Sequence, residues 1–204
     1  MQRVVAGTLR GRRLLALPRS ITGVRPSSSR VRGAIFDRLQ AEVVDASVLD
    51  LFAGTGALAI EALSRGAARA TLVEQQPALS KFLLQQLDEL GLRDRATVVT
   101  NDARRFLTSC SAASRREKSG GPGGGPFDLV LVDPPYDDLE LYAAVLTSMV
   151  EHSCLAADAV VVIEYEKHRG RRPAIPIPPG LESEAIRDHG QTALEFLRHT
   201  SADP

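Results

Sequence analysis

Cysteine is nearly absent: Cys110 and Cys154 are the only two in 204 residues, too few for a disulfide framework or a structural zinc site. No apolar run approaches the roughly 20 residues needed to span a bilayer, and the N-terminus lacks the apolar core of a secretory signal. A cytoplasmic protein with no membrane association and no metal is therefore expected. Residues 1 to 36 contain neither acid nor lysine, yet hold eight arginines: Arg3, Arg10, Arg12, Arg13, Arg19, Arg25, Arg30 and Arg32. The chain balances 25 basic against 25 acidic residues, so residues 37 to 204 carry a net charge of minus eight. This asymmetry implies a polyanion-binding element on an acidic body, and the guanidinium fork suits phosphate.

Residues 2 to 18 alternate weakly around Gly7 and Gly11 and read as a short hairpin. Residues 1–24 are thus expected to form a basic extension that meets a polyanion through Arg3, Arg10, Arg12 and Arg13, with Arg25, Arg30 and Arg32 continuing the contact from the start of a domain over 25–204. On that reading a chain beginning near Ser20 still folds. The competing reading is a structural hairpin packed through Val4, Val5, Leu9 and Leu14. Ser27, Ser28 and Ser29 offer caps to a helix carrying Val31, Ala34, Ile35 and Leu39.

From residue 47 apolar strands alternate with helices. Strands are expected at 47–51, 70–74, 96–100, 127–133 and 159–163, and helices at 57–65, 77–90, 103–107 and 139–150. An antiparallel hairpin, 182–188 with 192–199, closes the sheet edge. Such alternation dictates an α/β fold, a mostly parallel sheet covered on both faces. Residues 111–126 hold five glycines and two prolines and read as a flexible insertion, dispensable for function.

Asp50-Leu-Phe-Ala-Gly54-Thr-Gly56 lies where open sheets bind ligands, beyond the end of the first strand. Taken alone the motif also fits a dinucleotide site, with Glu74 twenty residues after Gly54. Asp50 argues against a pyrophosphate there. A third acid, Asp102, ends the third strand beside Ala103, and acids at three successive strand ends suit S-adenosylmethionine, whose amino-acid end and adenosine carry no phosphate. The cofactor-binding set is Asp50, Phe52, Ala53, Gly54, Gly56, Glu74, Gln75, Asp102, Ala103 and Asp133. Asp133-Pro-Pro-Tyr136 ends the fourth strand, next to the methyl donor if that strand neighbours the first. Asp133 and the Pro134 carbonyl can accept both hydrogens of an exocyclic amino group, and Tyr136 offers a stacking face to an extruded base. No cysteine nucleophile is suggested, and Cys110 reads as a packing residue.

Arg25-Pro-Ser-Ser-Ser-Arg-Val-Arg-Gly-Ala-Ile-Phe-Asp37, Leu49-Asp-Leu-Phe-Ala-Gly-Thr-Gly-Ala-Leu-Ala-Ile-Glu-Ala-Leu-Ser-Arg-Gly66 and Leu131-Val-Asp-Pro-Pro-Tyr136 resemble the RsmD family of bacterial 16S rRNA guanine-N2 methyltransferases. The resemblance covers nearly the whole chain. It implies a class I, Rossmann-like methyltransferase fold with a seven-stranded sheet and an N-terminal hairpin that helps grip RNA. It places Arg25 to Arg30 near cofactor and target base, and implies 16S rRNA within a partly assembled 30S particle as substrate. A monomer is expected. Two alternatives are a DNA adenine-N6 methyltransferase, disfavoured because no room remains for a target-recognition domain, and a non-catalytic RNA-binding assembly factor, disfavoured by the intact Asp133-Pro-Pro-Tyr136. A nicotinamide oxidoreductase is a third.

Overall fold

The computed structural model describes residues 2–22, 28–114, 126–134 and 138–200, with backbone alone at 111–114. The order of elements matches the alternation of the sequence. Helix α1 (Ser29–Arg38) precedes β1 (Ser47–Asp50), α2 (Ala57–Ser64), β2 (Arg69–Glu74) and α3 (Pro77–Leu90). A 3-10 turn at Arg93–Arg95 leads into β3 (Ala96–Thr100), α4 (Ala103–Ser114), β4 (Phe127–Val132), α5 (Leu139–Glu151) and β5 (Leu155–Glu166). Strands β6 (Leu181–His189) and β7 (Thr192–His199) form the closing hairpin.

The seven strands make one sheet in the order β3-β2-β1-β4-β5-β7-β6. The first five are parallel, while β7 runs antiparallel to β5 and β6 antiparallel to β7. The strand order reverses between β1 and β4, which are direct neighbours through Val48↔Leu129, Leu49↔Val130 and Asp50↔Leu131. That switch point opens a crevice beyond the strand carboxyl ends.

Because successive side chains leave a strand on opposite faces, each central strand feeds two cores. Val48, Leu129, Leu131, Val160 and Val162 pack on one side with α1, α2 and α3. Leu49, Val130, Val132, Val161 and Ile163 pack on the other with α4 and α5. Cys110 and Cys154 are buried in this second core as free thiols. The N-terminal arm belongs to the first core: Val4 and Leu14 are buried in it, and Leu9 packs against it.

Three elements depart from the pattern-based reading. Helix α4 runs to Ser114 rather than stopping at 107, because Phe106, Leu107 and Cys110 make a continuous buried stripe that outweighs the low helix propensity of Thr108 and Ser109. Strand β5 starts four residues before Ala159. Its early part carries a register break between the Phe127↔Leu155 and Leu129↔Val160 pairs, with Asp158 at φ 58, so its apolar alternation is interrupted. The arm is a turn closed by a single antiparallel bridge, Arg3↔Arg13, rather than a regular hairpin.

Candidate active site

A cavity of about 590 Å³ opens at the β1/β4 switch point, reached by the ends of β1 through β5 and by β7. Its size suits a ligand of nucleoside dimensions. Phe52, Ala53 and Gly54 form its floor, just past β1; Glu74 and Gln75 enter from β2; Asp102 and Ala103 from the turn after β3; Asp133 and Pro134 from the end of β4. These nine of the sequence-selected residues therefore share one cavity.

Two others stand behind its wall. Asp50 is 1% exposed, and its Oδ2 accepts the Ala59 N–H at 3.2 Å, in the first turn of α2. The carboxylate thus caps the helix from beneath the loop instead of facing a ligand. It thereby takes one of the first-turn amides of α2, a donor that a pyrophosphate at this helix end would otherwise use. Gly56 begins α2 with φ 74; a Cβ there would lie 2.6 Å from Leu83 Cδ2 and 3.1 Å from Leu72 Cδ2. The second glycine of the motif is required by helix-to-sheet packing, not by ligand approach.

Burial pushes the Asp50 carboxyl up to about 7, with the charges of Asp133 and Glu74 adding to the shift and the Ala59 and Phe52 amides opposing it. Between its ordinary value and 7 the folded chain keeps a proton that the unfolded chain has released. Stability from this group is therefore full at low pH and declines as pH rises through about 7. Asp50→Asn, which keeps an oxygen for the Ala59 amide, is expected to remove that decline. Urea unfolding at pH 5 and pH 8 checks it: wild type should lose on the order of a few kcal/mol more than the variant.

Glu74 spans two backbones. Its Oε2 accepts Gly54 N at 3.0 Å and its Oε1 accepts Gln76 N at 2.8 Å. This ties the β1 loop to the β2 turn and leaves lone pairs to meet hydroxyl groups. Asp102 Oδ1 caps α4 by accepting Arg104 N and Arg105 N at 3.0 and 3.1 Å. Asp102 is also half-buried on the cavity wall, so helix capping and a site role coexist. Tyr136 and Arg25 lie outside the described residues, as do residues 115–125 of the Gly/Pro-rich segment.

The arginines divide. Arg10, Arg13 and Arg30 are exposed. Arg3, also exposed, uses Nη1 to hold the Gly11 carbonyl at 2.8 Å, and Arg12 donates to Glu89 O on α3 at 3.1 Å. Arg32 corrects the expectation: it is 0% exposed and donates from Nη2 to the Arg3 carbonyl at 2.8 Å. Burial lowers its pKa, against the opposing fields of Glu61 and Glu164. A side chain so enclosed locks α1 to the arm and is closed to nucleic acid.

The cavity also has walls that the motifs do not announce. Ser28 and Val31, at the start of α1, close it from above. Glu164, Tyr165 and Glu166, at the end of β5, and Thr192, at the start of β7, line the side beyond Asp133. Tyr142 fixes this side by donating to the Glu164 carbonyl at 2.6 Å. The position of 164–166 just past the apolar run Val160–Ile163 is the one sequence signal that could have marked them.

The family model described as Conserved hypothetical protein 95 matches residues 2–198. Ribosomal RNA small subunit methyltransferase D of Escherichia coli is 37% identical over 196 residues, which cover 96% of this chain and 89% of that protein. The Haemophilus influenzae protein of the same name is 31% identical, over 82% of this chain and 80% of its own. A solved Escherichia coli structure superposes with a TM-score of 0.79 at 32% identity, covering 98% of both chains. The seven-stranded sheet with its switch-point cavity is the class I methyltransferase fold, and the chain belongs to the Conserved hypothetical protein 95 family, that of the RsmD proteins.

Proposed function

We propose that this protein transfers a methyl group from S-adenosylmethionine to the exocyclic N2 amino group of a guanine in 16S rRNA, within a partly assembled 30S particle in the cytoplasm. The observation that carries the reading is the meeting of Glu74, Asp102 and the Asp133-Pro134 pair in one cavity at the β1/β4 switch point. The residues fit the cofactor: Glu74 would take the ribose hydroxyls, Asp102 and the Ala103 amide the adenine edge, and the β1 loop the amino-acid end. S-adenosylmethionine supplies an electrophilic methyl on a sulfonium. Glu74 and Asp133, both on the cavity wall, would add negative potential beside a ligand that carries an ammonium and a sulfonium.

On the target side, an exocyclic amine is a poor nucleophile because its lone pair is delocalised into the ring. The Asp133 carboxylate and the Pro134 carbonyl would each accept one N–H, holding the nitrogen pyramidal with its lone pair turned toward the cofactor. A fixed pair of acceptors lowers the barrier by orientation and charge placement alone, with no covalent intermediate. The names of the Escherichia coli and Haemophilus influenzae relatives support ribosomal RNA as the polymer.

The test is tritium transfer from labelled S-adenosylmethionine to 30S particles, naked 16S rRNA and duplex DNA, with identification of the modified nucleoside. Label in N2-methylguanosine from ribosomal RNA is expected. Label in N6-methyladenine of DNA, or none in any polymer, would sink the reading.

A further inference from the structure

The segment after β5 reads Lys167-His168-Arg169-Gly170-Arg171-Arg172, five basic side chains in six residues. It begins one residue beyond Glu166, which lines the cavity. The last rung of the β5–β7 ladder is Glu166↔Thr192, with Thr192 also on the wall, and Lys167 N donates to Gln191 O just above it. The segment therefore rises from the rim on the side away from the β1 loop, past Asp133.

The turn is rigidly presented. His168 N donates to Arg171 O and Arg171 N to His168 O, both at 2.9 Å. The two residues between them, Arg169 and Gly170, have φ 51 and φ 76, the paired positive angles of a two-residue hairpin turn. Asn or Gly is favoured at the first of these positions, yet an arginine occupies it. A side chain kept where it costs backbone energy points to use of that side chain. One acid, Asp188 on β6, ties down the base of the turn: it pairs with Lys167 Nζ at 3.4 Å and with Arg172 Nε at 3.0 Å. Among the described residues no ion pair involves Arg169 or Arg171, and both are exposed at the tip.

We infer that the Lys167–Arg172 turn is an RNA-backbone clamp, in which Arg169 and Arg171 take phosphates flanking the target nucleotide while Asp188 holds the base of the turn. The inference rests on the reading of the substrate as RNA. Guanidinium forks at a rigid tip suit bidentate phosphate contact. A clamp beside the base-entry wall explains what the N-terminal arm cannot supply alone, since the arm lies against α2 and α3 on one face of the sheet.

The test uses the full chain carrying Arg169→Asn together with Arg171→Gln, asparagine being chosen because it accepts positive φ. Initial rates of transfer to 30S particles are measured between low and moderate potassium chloride. Loss of two phosphate contacts should make the slope of log kcat/KM against log salt shallower by roughly 1.4 to 1.8. KM for particles should rise about tenfold, with kcat, melting temperature and S-adenosylmethionine affinity near wild type. Arg169→Lys with Arg171→Lys should restore most of the slope, because the charges return. A neutral variant with wild-type slope and KM overturns the clamp, as does a lysine variant as impaired as the neutral one. Wild-type protein inactive on every ribosomal substrate would overturn the RNA reading itself, which separates the two failures.

Discussion

Replacing Asp133 by alanine is expected to lower methyl transfer by roughly 10²- to 10³-fold, the usual cost of removing one preorganised polar group aimed at developing charge, while S-adenosylmethionine affinity changes little. The expectation comes from position. Asp133 is the first residue past β4, half-buried on the cavity wall, and Pro134 behind it is buried. The cofactor's main proposed contacts come instead from the β1 loop, Glu74 and the start of α4. The loss should appear in kcat, since accepting an amino hydrogen matters most as the nitrogen becomes a nucleophile. Single-turnover transfer to 30S particles and calorimetry with S-adenosylmethionine separate the two quantities. Near-normal turnover in the alanine variant would remove Asp133 from the reaction. Asp133→Asn should fall between, because the amide oxygen still accepts but the charge is gone.

Much of this site is legible in the sequence because its residues sit where strands end, and strand ends can be read from local periodicity. Gly54, Glu74, Asp102 and Asp133 each stand at the carboxyl end of an apolar run, and a parallel sheet brings such ends together whatever the intervening segments do. The features hidden from the sequence depend on contacts between distant segments. Arg32 looks like one more cation of a basic arm, yet the acids in its field, Glu61 and Glu164, come from α2 and β5. Asp50 looks like a ligand residue until the first turn of α2 is seen to fold over it. The Lys167–Arg172 run is plain as composition, but only the β5–β7 register places it over the cavity rim.

The largest stability effect is expected from removing the arm, and here the structure reverses the expectation that a chain starting at Ser20 still folds. Glu61 is 0% exposed. Its two oxygens accept the Val5 and Ala6 amides at 2.8 and 2.9 Å, with Arg65 Nε also at 2.9 Å. Leu9 N donates to Ser64 Oγ at 3.0 Å, and Leu15 N donates to Gln86 Oε1 at 2.8 Å. Gln86 is itself buried and reaches the Thr55 carbonyl of the β1 loop, so the arm also supports the loop that forms the cavity floor. Truncation leaves a buried carboxylate short of two donors and uncovers the pocket of Val4 and Leu14. Charge-assisted hydrogen bonds at about 1.5–3 kcal/mol each and two buried aliphatics at about 1.5–3 kcal/mol each together approach the whole stability of an ordinary domain. The truncated chain should therefore show no cooperative melt at ambient temperature, and its failure to bind RNA would carry no information about the arginines. Gly7→Ala tests the docking without deletion: a Cβ there would lie 1.9 Å from the Ser64 carbonyl oxygen, so the arm must lift and the melting temperature should drop by several degrees. Arg10→Gln with Arg13→Gln tests the charge alone, since both side chains are exposed. That variant should melt like wild type and lose about 1.4 to 1.8 from the salt slope if both arginines meet phosphate. A truncated chain that melts like wild type would show instead that the arm is an ornament on a self-sufficient sheet.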